Sequence, residues 1–267
     1  MKSISQVMNL QCNIDLASAY KSASQVARIL SEDWCARELY CPACRSGSIS
    51  RSPANTQAAD FSCPRCEQRF QLKSLRRWGS PKIVDAGYEA MIRAIKADRA
   101  PHLLLLQYTG AWHVRNLMLI PRMFVTESVI EKRRPLSKTA RRAGWIGCNI
   151  LLGGIPEDGR IAMISEGRPT PEQRVRKEFE RIRGLGKLPP SLRGWTVDVL
   201  SFVRRLRKAE FTLSEIYDAE PSLRIVHPNN RNIRPKIRQQ LQILRDLGLV
   251  EFKGRGRYVL RASAGPN

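Results

Sequence analysis

Four cysteines fall into two C-x2-C pairs, Cys41-Pro-Ala-Cys44 and Cys63-Pro-Arg-Cys66, with 18 residues between the pairs. A tight turn over each pair aims two thiolates at one point, and two such knuckles close a tetrahedral zinc site. The spacing lies within the C-x2-C-x15–20-C-x2-C range of zinc sites. Four thiolates leave no open position on the metal, so Cys41, Cys44, Cys63 and Cys66 are expected to hold a structural Zn2+. The remaining cysteines, Cys12, Cys35 and Cys148, read as small apolar core residues.

A second constellation straddles the second knuckle. Asp60 precedes Cys63, and Gln71-Leu72-Lys73 follows Cys66. On a strand, Gln71 and Lys73 share one face, and Phe70 and Leu72 the other. With the knuckle as the connection between two adjacent strands, Asp60, Gln71 and Lys73 meet at one sheet edge. Phosphodiester hydrolysis uses such a set: oxygen ligands for Mg2+ from Asp60 and Gln71, and a cation, Lys73, near the attacking water and the phosphate. The same spacing also fits an exposed polar strand face. His102, His113 and His227 form no pair or triad, and neither a P-loop nor a dinucleotide glycine fingerprint is present.

The charge narrows the partner. The 267 residues carry 46 Lys+Arg against 24 Asp+Glu, a formal net charge of +22. Basic residues are in excess on both sides of residue 190, so this is no basic arm on a neutral body. A polyanion, most often nucleic acid, is the default partner of such a chain. Hydrophobic content of 42% supplies packed cores. No apolar run approaches the length of a membrane span, and the first five residues lack a signal-peptide core. The expectation is a soluble cytoplasmic protein with no membrane partner and no obligate protein partner.

The elements that must position these residues can be read in outline. Residues 14–38 read as a helix, with Val26, Ile29, Leu30 and Trp34 at helical spacing. Residues 45–57 read as loop, 70–73 as a strand, and 86–97 as a short helix. The apolar runs 102–108 and 112–120 read as a hairpin of buried strands. Residues 131–144 read as a basic loop, 146–152 and 160–164 as strands, and 172–182 as a charged helix. Residues 184–191 read as a linker, after which the pattern changes. Residues 195–206 are helical, and Thr212 with Glu215 forms a capping box. Ile233, Ile237, Leu241, Leu244 and Leu247 make the stripe of a third helix. Strands at 249–252 and 257–260 flank Lys253-Gly254-Arg255-Gly256. Three helices and then a two-stranded ribbon is the order of a winged helix-turn-helix.

At this point the residues carry a likeness. The chain resembles the DpnI type of restriction endonuclease, which cleaves adenine-methylated DNA. The matching stretches are 22–34 (SASQVARILSEDW), 40–44 (YCPAC), 59–63 (ADFSC), 139–150 (TARRAGWIGCNI), 193–196 (RGWT), 237–246 (IRQQLQILRD) and 251–258 (EFKGRGRY). They span nearly the whole chain in order. The resemblance implies an α/β (α+β) PD-(D/E)xK nuclease domain with an inserted zinc knuckle over 1–186, then a winged-helix DNA-binding domain over 187–267. It also implies a type II, Mg2+-dependent enzyme of a restriction system whose two domains both read N6-methyladenine in double-stranded GATC.

Carried over by position, Asp60 matches the first metal carboxylate, Lys73 the catalytic lysine, and the four cysteines the zinc ligands. Ala59 stands where the motif has proline, and Gln71 where it has Glu or Asp. Gln71 can ligate Mg2+ through oxygen but adds no negative charge. Glu32 or Asp33 on the first helix could supply a compensating carboxylate. The alternative reading is a methylated-DNA reader or transcription regulator on an inactive nuclease; a third is a generic zinc-ribbon regulator. Reading a methyl group needs an apolar surface plus polar contacts to base edges. Trp145 is assigned to methyladenine, and Arg141 and Arg142 to phosphate or base. In the winged helix the candidates are Arg234, Lys236, Arg238, Gln239 and Gln240, with Lys253, Arg255 and Arg257 in the wing placed on phosphate.

Overall fold

The computed structural model describes residues 8–53 and 59–262. The first residues, read above for an export signal, and residues 54–57 of the expected loop lie outside the described residues. The helix expected over 14–38 is two pieces: a 3-10 turn at Ile14–Ala17 and α1 at Ala23–Glu38. The break is local in origin. The Asn13 side chain accepts the Asp15 N–H and starts the short turn. Residues 18–22 carry no apolar repeat to continue it, and Ser22 takes the extended conformation of an N-cap. Leu30, Trp34 and Cys35 form the buried stripe of α1.

The strands β1 (Ser50–Arg51), β2 (Phe61–Ser62) and β3 (Arg69–Leu75) follow. β2 and β3 are antiparallel, with Phe61 opposite Phe70, and the second cysteine knuckle is the turn between them. The chain then leaves this sheet for β4 (Lys82–Gly87) and returns through α2 (Tyr88–Lys96). It re-enters as β5 (His102–Tyr108), parallel to β3 with Leu72 opposite Leu104. Sequence reading missed β4 altogether. A parallel pair needs such a crossover, and β5 is buried on both faces, which is why Leu103, Leu104, Leu105 and Leu106 run without alternation.

β6 (Val114–Ile120) pairs antiparallel with β5. It begins two residues later than expected, because Trp112 sits in the turn at φ +57° and stacks on Tyr108. β7 (Ile130–Lys132), β8 (Gly147–Leu151), β9 (Ile161–Ser165) and β10 (Arg168–Pro169) complete the set. β7 corrects the loop expected from residue 131: Glu131 pairs with Asn149 of β8 in backbone register and side-chain hydrogen bond. The main sheet runs β1-β2-β3-β5-β6-β9-β10, and a smaller one β4-β8-β7.

α3 (Glu172–Ile182) buries Val175, Phe179 and Ile182. Residues 183–187, which overlap the linker expected over 184–191, form a 3-10 turn with Leu185 buried. α4 (Pro190–Arg205) is followed by β11 (Glu210–Thr212), α5 (Leu213–Tyr217), α6 (Glu220–Val226), α7 (Ile233–Asp246), β12 (Val250–Gly254) and β13 (Arg257–Leu260). The capping box at Thr212 and Glu215 is present in full. β11 joins the ribbon in a sheet of order β11-β13-β12. The turn Gly254-Arg255-Gly256 runs at φ +89°, +49° and +72°, a left-handed path that glycine permits cheaply.

The two parts share a core through α4. Val197, Val199, Leu200 and Val203 are fully buried. Arg193 of α4 is also buried and bonds Asp98, which Arg122 holds as well. Arg204 forks onto Asp158 at 2.6 and 2.7 Å, and Arg181 of α3 reaches the same carboxylate at 2.6 Å. Burial alone would push the Asp158 carboxyl up, but Arg204 and then Arg181 outweigh it and hold the group below the ordinary carboxylate range.

Candidate active site and metal centre

The four knuckle sulfurs lie within 4.8 Å of one another. Cys41 and Cys66 Sγ are 3.6 Å apart, as are Cys44 and Cys63. Four sulfurs about 2.3 Å from a central zinc stand about 3.8 Å from each other, so the cluster is sized for that ion. The Ser46 N–H donates to Cys44 Sγ and the Arg65 N–H to Cys63 Sγ, each at 3.4 Å. Burial raises the Cys63 thiol, but the N–H groups of Cys66 and Arg65 more than offset it and bring it down to about 7. The donor set, closed and all sulfur, suggests a structural zinc.

Next to the knuckle, the Asp60 N–H donates to the Phe70 carbonyl at 2.9 Å. Asp60 Oδ2 accepts the Leu72 N–H at 2.7 Å. The carboxylate is thus pinned by backbone across β3, between the positions of Gln71 and Lys73. On α1, burial raises the Glu32 carboxyl, Arg28 at 3.8 Å opposes it, and the Asp60 charge adds to the rise. Glu32 therefore lies in the field of Asp60. Asp33 is engaged elsewhere, by Arg37 at 2.6 Å.

Gln71 and Lys73 converge on a residue that sequence reasoning missed, Asp85 of β4. Gln71 Nε2 donates to Asp85 Oδ1 at 3.1 Å, and the Lys73 ammonium binds the same oxygen. The Asp85 side chain has 0% exposure, against 19% for Lys73. Two buried oxygens here, Gln71 Oε1 and Asp85 Oδ2, have no hydrogen-bond partner among the described residues. The signal was present in the sequence as Lys82-Ile83-Val84-Asp85. Alternation along β4 puts Ile83 and Asp85 on the inward face, so a carboxylate occupies an apolar slot.

The basic candidates divide. Arg141 and Arg142 are exposed in a turned segment, and the Arg142 guanidinium lies 5.1 Å from the centroid of the Trp145 ring. That indole rests on Gly147, where a Cβ would come within 2.8 Å of its edge, so Gly147 gives it its seat. On α7, Arg234, Arg238 and Gln239 are exposed. Arg234 pairs with Glu220 at 2.8 Å, Arg238 donates to Tyr217 Oη at 2.7 Å, and the Lys236 ammonium lies 5.9 Å from the Trp195 centroid. Gln240 is a correction. Its exposure is 0%, and its Oε1 accepts the Thr196 hydroxyl of α4 at 2.7 Å. It follows Ile237 by three residues, on the apolar side of the helix, and cannot reach a DNA groove. Lys253, Arg255 and Arg257 are exposed on the β12–β13 ribbon.

Comparison with known families adds two findings. The family model described as DpnI, Dam-replacing family, matches residues 8–188. The model for the Dam-replacing HTH domain matches residues 191–259.

Proposed function

The chain belongs to the DpnI, Dam-replacing family and carries that family's helix-turn-helix domain, and on that premise we propose that it is a type II endonuclease that cuts double-stranded DNA at adenine-methylated GATC. The helix-turn-helix domain implies DNA binding. The observation that carries the nuclease reading is Asp60, clamped by the Leu72 N–H beside Gln71 and Lys73 at the edge of a family-matched sheet. Asp60 and Gln71 offer oxygen atoms suited to Mg2+, and two bare oxygens at this edge fit a hard cation. Asp60 and Gln71 would hold Mg2+ there, and the ion would supply positive charge for orienting water and offsetting charge on the phosphate. Lys73 stands ready, once a phosphate competes with Asp85 for its ammonium, to hold the negative charge that develops on the scissile group. Trp145, seated on Gly147 and flanked by Arg142, presents an apolar ring beside cations, the pairing a methylated adenine in a charged backbone calls for. Arg234, Lys236, Arg238 and Gln239 front the groove, and Lys253, Arg255 and Arg257 grip phosphate.

A second reading, a methylated-DNA reader without cleavage, draws support from one residue: Gln71 gives the centre one negative charge fewer than a two-carboxylate site. The experiment that separates them is incubation of full-length protein with methylated and unmethylated plasmid, with and without Mg2+. Cleavage confined to methylated plasmid plus Mg2+ is expected. Methyl-specific binding with no cleavage at any Mg2+ or Mn2+ concentration would give the reader reading instead.

A further inference from the structure

We propose that Asp85 is a metal-ligating carboxylate of this centre, supplying from β4 the negative charge that Gln71 lacks on β3; this rests on the nuclease reading above. Three observations meet here. The Asp85 side chain is wholly buried at an inward strand position, where an ionised carboxylate is costly unless compensated. Its compensation is half made: Oδ1 takes both the Lys73 ammonium and the Gln71 amide, while Oδ2 has no partner among the described residues. The side chain hydrogen-bonded to it, Gln71, carries the second bare oxygen of the site, Oε1.

A carboxylate placed only to neutralise Lys73 needs one oxygen. Leaving the other bare in the interior, beside a bare amide oxygen, is a standing penalty that a divalent cation with oxygen ligands removes at one stroke. The charge count agrees. Asp60 and Asp85 together restore the two carboxylates that a neutral glutamine on β3 reduces to one. Glu32, the other nearby acid, is salt-bridged to Arg28 on α1, and no hydrogen bond or ion pair joins it to Gln71 or Lys73 among the described residues.

The test uses Mn2+ as probe, full-length protein with its cysteine site filled by zinc, and electron paramagnetic resonance of free Mn2+, so that no cleavage is needed for the readout. Asp85→Asn keeps the shape and is expected to weaken Mn2+ binding about 10- to 100-fold, with methyl-specific DNA binding unchanged. Asp85→Asn combined with Gln71→Glu moves the charge back to β3 and is expected to regain Mn2+ binding. A variant-independent check is Fe2+ with peroxide on the wild-type protein, which cuts the backbone beside bound metal; cuts are expected near both Gln71 and Asp85. Asp85→Asn that binds Mn2+ like wild type, or backbone cuts absent from β4, would overturn the inference while a cutting wild-type enzyme leaves the nuclease reading intact. Asp85-dependent Mn2+ binding in a protein that never cuts DNA would support the inference and sink the nuclease reading.

Discussion

A lysine and a glutamine share one oxygen of a buried aspartate at the proposed centre, and each can be tested residue by residue. Lys73→Ala removes the cation that would meet the reacting phosphate, and cleavage should fall by about 100-fold or more. Binding of methylated duplex should persist, because Arg141, Arg142 and Trp145 lie on a separate segment. A filter-binding assay run beside the plasmid assay reads both. Gln71→Glu adds a charged ligand, so its Mg2+ titration should reach half-maximal cutting at a lower concentration than wild type. Normal cutting by Lys73→Ala would move the active site elsewhere. The nearness of Asp60 to the Gln71–Lys73 stretch could be read from the sequence because they lie within one strand–turn–strand unit, where spacing alone dictates proximity. Asp85 could not. Its partners sit on a strand of a different sheet, and a single acid before Ala86-Gly87 reads as the lead-in to a helix. Gln240 failed in the opposite direction: a polar type on the third helix suggests a groove contact, and only packing against Thr196 of α4 shows it turned inward.

At the scale of elements, the cysteine knuckle is the hinge on which the centre is built, since it forms the whole connection between β2 and β3. Cys63→Ser should release the metal, and elemental analysis, which should find about one zinc per wild-type chain, should report the loss. Limited proteolysis should then cut around the knuckle before it cuts α7, because the wing and its helices make no use of that site. A fully protected, metal-free variant would show the cysteines to be packing residues. The knuckle, the β5–β6 hairpin, α3, α7 and the ribbon were legible because each has a local signature: ligand spacing, an unbroken apolar run, or a 3.6-residue stripe. β7 and β11 were not. Each is three residues long and is a strand only because a distant strand, β8 or β13, offers it hydrogen bonds.

At the scale of the whole molecule, buried ion pairs fasten α4 to the sheet-bearing half. Asp158 holds two arginines with its own side chain at 0% exposure. Asp158→Asn would strand both, and a loss of about 3 kcal/mol is expected in chemical denaturation. The folded-state value of Asp158 is depressed, so its contribution is present above its ordinary value of 3.8 and is lost as pH falls below that. His102 adds to acid sensitivity from a higher pH. Burial, and then Arg122, push it down to about 3 from 6.5, so the unfolded chain takes up a proton that the folded one refuses. Stability should therefore decline as pH drops through 6.5 toward 3, by up to about 1.4 kcal/mol per pH unit from this group. Melting curves at pH 7.5, 5.5 and 4.5 check the slope; a flat profile would remove His102 as its source.

The same fastening sets an order of events during synthesis. Asp98 and Asp158 emerge from the ribosome well before Arg193 and Arg204, the side chains that neutralise them. Until α4 arrives, each of these carboxylates has only its partner from the sheet-bearing half, Arg122 on Asp98 and Arg181 on Asp158, and the apolar residues that pack on Val197, Val199, Leu200 and Val203 lack that cover. A chain cut short near residue 188 would hold every residue of the proposed cutting centre but not the helix that completes its core. The half proposed to cut thus gains its full set of core contacts only when the helix-turn-helix half has begun to be made, and a product truncated there is expected to be less stable than the full chain.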